Sequence, residues 1–191
     1  MKYDIAMYGK VHKLLHWLLA INISATLVFS IGMAGLTDVE KAVEYGQHGL
    51  SVTTIFVLML IRTIWRLFNP PPALPEDMPK RNQFLAHSMH LALYVLIFTQ
   101  IAVGILLASA TSVPFVADLY DINYSAFGLA TPDDHATLLL LHDIGAAVIG
   151  FFVVVHILAA LKHHFVDKDT VLMRMLPFVK LEPNNAQKVS Q

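Results

Sequence analysis

The stretch Leu141-His142-Asp143-Ile144-Gly145-Ala146-Ala147-Val148-Ile149-Gly150-Phe151-Phe152-Val153-Val154-Val155-His156 decides the fold. It lies inside an apolar run, Ala136 to Leu161, long enough to cross a bilayer, which takes about 20 mainly apolar residues. Its two histidines are fourteen residues apart, or about 21 Å along a helix at roughly 1.5 Å per residue. Fourteen steps of about 100° close almost four turns, so both imidazoles leave the same face. One helix thus offers a ligand near each side of a membrane.

Three more apolar runs surround this one: Leu14 to Leu36, Gly46 to Ile61 (extended by Arg62 to Phe68) and Phe84 to Ala108. The 191-residue chain is 56% hydrophobic and only 14% charged, against nearly a quarter charged in a soluble domain. A soluble helical core is disfavoured, because core helices of this length keep a polar face. The sequence therefore predicts an all-α membrane four-helix bundle. Lysines before the first run imitate a signal peptide, but the run is too long for an h-region and holds His16 and Asn22, so it reads as a retained helix. Cysteine is absent, which excludes disulfides, thiolate metal sites and covalent CxxCH haem attachment. There is no internal repeat and nothing that points to nucleic acid.

Charge gives the orientation. Twelve of the thirteen basic residues fall on one side: before the first run, around the second loop, and after the fourth run. By the positive-inside rule this side is cytoplasmic and holds both termini. The opposite loops carry Lys41 against Asp38, Glu40, Glu44, Asp118, Asp121, Asp133 and Asp134, a net charge of −6. The run Asn69-Pro70-Pro71-Pro72-Ala73-Leu74-Pro75 reads as a stiff extended connector. Ser109 to Asp134 is long enough to be a lid or to carry short surface helices, and Pro132 and Asp133 read as the start of the fourth helix. Residues 1–176 form one transmembrane domain and 177–191 a polar tail, disordered from Glu182.

Four of the ten histidines lie at matched depths. His16, within a turn of the inner end of the first helix, pairs with His156. His48, one turn inside the outer end of the second, pairs with His142. Two such pairs on facing helices suit bis-histidine ligation of two haems in a bundle core. His87 and His90, three residues apart on the third helix, share a face; either is an alternative inner ligand or a haem-propionate contact. Arg62, fourteen residues after His48, shares its face near the inner side, where an arginine needs a partner such as a propionate or a quinone oxygen; the alternative is snorkelling to the interface. Trp65 and Arg66 read as interfacial anchors. Asp143 is placed to accept a hydrogen bond from a ligand histidine on the second helix, or faces a wet cavity. His163 and His164 are either a solvated basic patch or a quinone contact. His12 and His135 read as interfacial.

The ordered set His16-Trp17, His48-Gly49, Leu60-Ile61-Arg62-Thr63-Ile64-Trp65-Arg66 with its proline run, Ala86-His87-Ser88-Met89-His90-Leu91-Ala92-Leu93-Tyr94, and Leu141-His142 through His156 to Lys162-His163-His164-Phe165-Val166-Asp167-Lys168-Asp169 resembles the bacterial cytochrome b561 family, small four-helix, di-haem cytochromes of the inner membrane. The resemblance implies two non-covalent b haems, ligated by His16 with His156 and by His48 with His142. It also implies ubiquinone exchange near the cytoplasmic end, with His163 as a contact. Some family members are superoxide oxidases, which pass an electron from superoxide to ubiquinone. Related cytochromes are membrane subunits that dock a partner redox protein. Both stay open here, a quinone-linked oxidoreductase and a relay connecting a periplasmic donor or acceptor to the quinone pool. The acidic outer loops run against the capture of an anion. A transporter using the same histidines is disfavoured by the scarcity of intramembrane carboxylates.

Overall fold

In a computed structural model, residues 7–74 and 78–179 are described, Ala34 and Asp38 by backbone alone. The expected polar tail from Glu182 lies outside them. Four long helices carry the fold: α1 (Lys10–Phe29), α2 (Asp38–Phe68), α3 (Lys80–Ala110) and α4 (His135–Phe165), followed by a short α5 (Val171–Met175). Each of the four long segments is long and apolar enough to span a membrane. Their outward surfaces present Ile21, Val28, Ile64, Val95, Phe151 and Val154, which suits lipid rather than water.

The helices pair as two hairpins. α1 packs along α2 and α3 along α4, whereas the hairpins meet each other sparsely. A slit therefore runs between them. At mid-depth it is closed by Leu19, Ile55, Met59, Ile97 and Ile149, with Met59 only 2% exposed. Ile149 is midway between His142 and His156, so this apolar plug separates two halves of the slit, called outer (the His142 side) and inner (the His156 side) after the orientation expected from the charges.

Two helix ends differ from the hydropathy reading. Asp38, Glu40 and Glu44, expected in a loop, form the first two turns of α2. Thr37 caps this helix: its hydroxyl accepts from the Glu40 N–H while Glu40 receives the Thr37 N–H at 2.8 Å. His48 thus lies almost three turns, not one, inside the helix end, at about 3.6 residues per turn. The helix outlasts the apolar run because a capping box starts a helix regardless of hydropathy. The first helix instead ends early, passing at Ser30–Gly35 into a 3-10 turn. Pro132–Asp134 forms a 3-10 turn capped by Thr131 that runs directly into α4, in line with the start read from the sequence.

The long outer segment does fold as a lid. Two short strands, β1 (Val116–Ala117) and β2 (Ile122–Asn123), pair antiparallel, and a 3-10 turn follows at Tyr124–Phe127. The lid lies on the outer half of α2, where the Asp118 N–H donates to the Gly46 carbonyl at 3.3 Å and Ala117 is fully buried. Gly49 makes this approach possible: a Cβ there would meet the Ala117 Cα at 2.9 Å and the Phe115 ring at 3.1 Å. Two lid tyrosines reach down to α2, Tyr124 to the Thr53 hydroxyl at 2.8 Å and Tyr120 to that of Thr54 at 3.1 Å.

Candidate functional site: histidine pairs across the slit

In the outer half of the slit, His48 on α2 faces His142 on α4, with ring centres 6.2 Å apart. In the inner half, His16 on α1 faces His156 on α4 at 6.3 Å. Both pairs bridge the two hairpins, and both use α4, the helix whose fourteen-residue histidine spacing sets the two levels. A metal-bound imidazole nitrogen sits about 2.0–2.1 Å from the ion and the ring centre about 1 Å beyond, so two rings on opposite sides of one ion have centres roughly 6 Å apart. Both observed separations match that figure.

The outer rings are held differently. His48 Nδ1 lies 3.2 Å from the Ser30 hydroxyl, and the Phe115 ring of the lid meets its edge at 6.2 Å. His142 Nδ1 is buried without a hydrogen-bond partner. It lies against Gly104 of α3, where a Cβ would stand 3.5 Å from Nδ1 and 3.1 Å from Cε1. The backbone of α4 beside it is tied to α3, since the Gln100 amide donates to the His142 carbonyl at 2.9 Å.

Of the two roles read for Asp143, the hydrogen bond to a histidine of the second helix is not the one it takes. It is exposed on α4, about 100° round the helix from His142, and the group that meets His48 Nδ1 is the Ser30 hydroxyl. That residue was missed by sequence reading. A serine at the end of an apolar run is a weak signal; it stands at the end of α1, still in helical conformation, at the level of His48.

The inner half holds a third imidazole. His90 on α3 lies 5.5 Å from His156, nearer than His16 does. Its Nδ1 donates to the Ala86 carbonyl at 2.6 Å, which leaves Nε2 unprotonated when the ring is neutral. His87, expected on the same face, is exposed and turns back to the Gln83 carbonyl at 2.7 Å. The two therefore separate: His90 joins the inner cluster and His87 does not.

Arg62 borders the same cluster, bonding groups one helical turn from His16 and His90. Its Nε donates to the Tyr94 hydroxyl at 2.9 Å and its Nη1 to the His12 carbonyl at 3.3 Å. The guanidinium of Arg66 stands 6.0 Å from the centre of the Tyr94 ring. His12, expected to be incidental, accepts the Trp65 indole N–H on Nδ1 at 3.3 Å. Arg62 and Trp65 are thus joints between helices as well as cationic and aromatic groups near the interface.

A strap closes the inner end. After α4 the chain turns under the bundle through α5, and three buried or half-buried donors hold it. Lys13 Nζ donates to the Leu176 carbonyl at 2.8 Å, the Trp17 indole to Met175 at 3.0 Å, and Arg174 Nη2 to Ala73 at 2.9 Å. Lys13 and Arg174 are only 7% and 5% exposed. Where α4 ends, His163 Nδ1 contacts the Asp169 carboxylate at 2.5 Å and Asp167 at 3.4 Å. Asp167 receives both hydrogen bonds of Lys162, at 2.6 and 2.7 Å, and these hold its carboxyl below the usual aspartate range. Asp169 also accepts the Val171 N–H at 2.9 Å, which starts α5. His163 is therefore clamped at the helix end rather than loosely solvated, while His164 Nδ1 is buried without a partner.

The family model for prokaryotic cytochrome b561 matches residues 7–178. Cytochrome b561 homolog 2 of Escherichia coli K12 is 32% identical over 175 residues, covering 88% of this chain and 90% of the relative. A protein named probable superoxide oxidase CybB, from Yersinia pestis, is 34% identical over 131 residues, covering 64% of this chain and 69% of the relative. Cytochrome b561 homolog 1 of Escherichia coli K12 is 28% identical over 123 residues, with the same coverage.

Proposed function

The chain belongs to the prokaryotic cytochrome b561 family, a multi-pass electron-transfer protein of the bacterial inner membrane that binds b-type haem, and from that premise we propose a two-haem relay between the periplasm and the quinone pool. The two imidazole pairs at 6.2 and 6.3 Å carry the reading. His48 and His142 would hold an outer haem, and His16 and His156 an inner one. Each haem supplies a one-electron couple when bound. The protein supplies ligation, the separation of the two levels and an apolar plug of low dielectric between them.

The remaining assignments follow from the same arrangement. Both termini and the strap are cytoplasmic, and residues 1–176 make one domain. His90 and Arg62 would be the residues that hold the propionates of the inner haem, and His87 is a weaker candidate because it is exposed. Ubiquinone exchanges at the inner end, where His163 is held rigidly by Asp169. The outer donor or acceptor meets the lid.

Haem analysis of single variants tests the ligand set. The purified chain should contain two haems b. His48→Ala and His142→Ala should each leave one haem of unchanged potential, and His16→Ala and His156→Ala should leave the other. Loss of the inner haem in His90→Ala, with His16→Ala silent, would replace His16 by His90 as the inner ligand.

A second reading, superoxide:ubiquinone oxidoreductase, is favoured by the relative named as a probable superoxide oxidase. The outer charge of −6 opposes it, and Lys41 is the one basic residue on that side.

A further inference from the structure

We propose that Ser30 is a positioning residue for the outer redox centre: its hydroxyl fixes the proton of His48 on Nδ1 and thereby lowers the reduction potential of the haem His48 holds. The proposal rests on the assignment of His48 as an outer ligand and deepens it.

The argument concerns which atom owns which proton. The Ser30 Oγ stands 2.8 Å from the Thr26 carbonyl, and a carbonyl can only accept. The single hydroxyl proton of Ser30 is therefore committed to Thr26, the back-bond expected of a serine four residues on in a helix. What Ser30 offers His48 at 3.2 Å is a lone pair. His48 must then be the donor. In a neutral imidazole with Nδ1 protonated, the free lone pair lies on Nε2, the nitrogen left for a metal.

The arrangement around Ser30 is stiff. The Thr26 hydroxyl donates to the Asn22 carbonyl at 2.8 Å and touches the Ser51 hydroxyl of α2, whose own proton goes to Asn22 Oδ1 at 2.6 Å. Asn22 in turn donates to the Ser51 carbonyl at 3.3 Å. A polar seam thus ties α1 to α2 and ends on His48. Asn22, Thr26 and Ser30 are spaced four apart, so one face of α1 carries the hydroxyl to the ring.

The opposite ring has no such partner. His142 Nδ1 is buried and unpaired, with Gly104 beside it. The two outer imidazoles are therefore unequal, and the seam acts on one of them. A hydrogen bond accepted from Nδ1–H raises the basicity of the ligating nitrogen. A more basic ligand stabilises ferric over ferrous iron and lowers the potential.

The test is potentiometric titration of the full-length haem-loaded protein, wild type against Ser30→Ala, Ser30→Cys and Ser30→Thr. The haem content of each is measured first. Ser30→Ala should keep two haems and favour reduction of the outer one by about three- to tenfold, tenfold being 59 mV for a one-electron couple, with the inner haem unmoved. Ser30→Cys, close in size but a weak acceptor, should shift the same centre in the same direction. Ser30→Thr, which keeps the hydroxyl, should restore the wild-type value. Should Ser30→Ala lose its outer haem, the Cys and Thr variants carry the comparison. An unchanged outer potential in a variant lacking the hydroxyl overturns the proposal, as does an equal shift in Ser30→Thr. Two haems surviving in His48→Ala would instead overturn the ligand assignment beneath it.

Discussion

Gly49→Ala probes how the lid is seated over the outer histidines. The added methyl would stand 2.9 Å from the Ala117 Cα and 3.1 Å from the Phe115 ring, where carbon atoms prefer about 3.5–4.0 Å. The nearer obstacle is backbone, so the lid must move off α2 by roughly half to one ångström. Overpacking of this kind costs about 1–3 kcal/mol. At about 1.4 kcal/mol per factor of ten, lid opening becomes roughly 5- to 150-fold more frequent. Hydrogen exchange reads this directly at Asp118, whose N–H bonds the Gly46 carbonyl across the contact, and at Tyr124, whose N–H bonds Phe115 within the lid. The Asp118 amide should exchange faster by that factor. Gly150→Ala is the control, because nothing lies within 4 Å of a Cβ there; it should leave both amides unchanged. An Asp118 amide equally protected in wild type and Gly49→Ala would refute the packing argument.

Two further outcomes are expected. The Asp167 carboxyl, held below the usual aspartate range by Lys162 and aided by His163, contributes to the helix-end clamp above the ordinary aspartate pKa, and this contribution fades as pH falls through the lowered value; Lys162→Ala should raise the titration midpoint seen by carboxyl carbon NMR, and an unmoved midpoint would show that Lys162 is not the cause. On the outer side, the charge of −6 should slow superoxide at low salt and speed a basic redox protein, both effects fading once the Debye length shrinks to about 8–10 Å; stopped-flow rates against salt would show it, and a superoxide rate that falls steeply with salt and loses that fall in Lys41→Gln would make superoxide oxidation the leading function.

Much of the fold could be read from hydropathy, because a bilayer demands long apolar helices and little else. The four spans, the pairing of His48 with His142 and the approach of His16 to His156 follow from run length and helical periodicity alone. The start of α2 did not follow, since Asp38 to Tyr45 is helical without being apolar; the Thr37 and Glu40 spacing was the signal for it. The separation of His87 from His90 was also beyond reach. Residues three apart on a helix differ by about 60°, enough for one ring to enter a slit and the other to leave it.

What sequence spacing cannot supply is the contact made by chain that is not helical. Phe115 reaches His48 through the lid, and Lys13 and Trp17 meet the strap more than 150 residues later. These contacts all bear on the ends of the slit rather than on its walls. The helices set where the two imidazole pairs stand, and the irregular segments make the two ends unlike. The outer end has a hydroxyl-bonded histidine under an acidic lid. The inner end has three imidazoles, an arginine and a clamped His163 above a strap held by buried cations. If the proposed two-haem relay holds, these unlike surroundings would give its two haems different potentials, because hydrogen bonds and charges around a ligand tune the metal it holds.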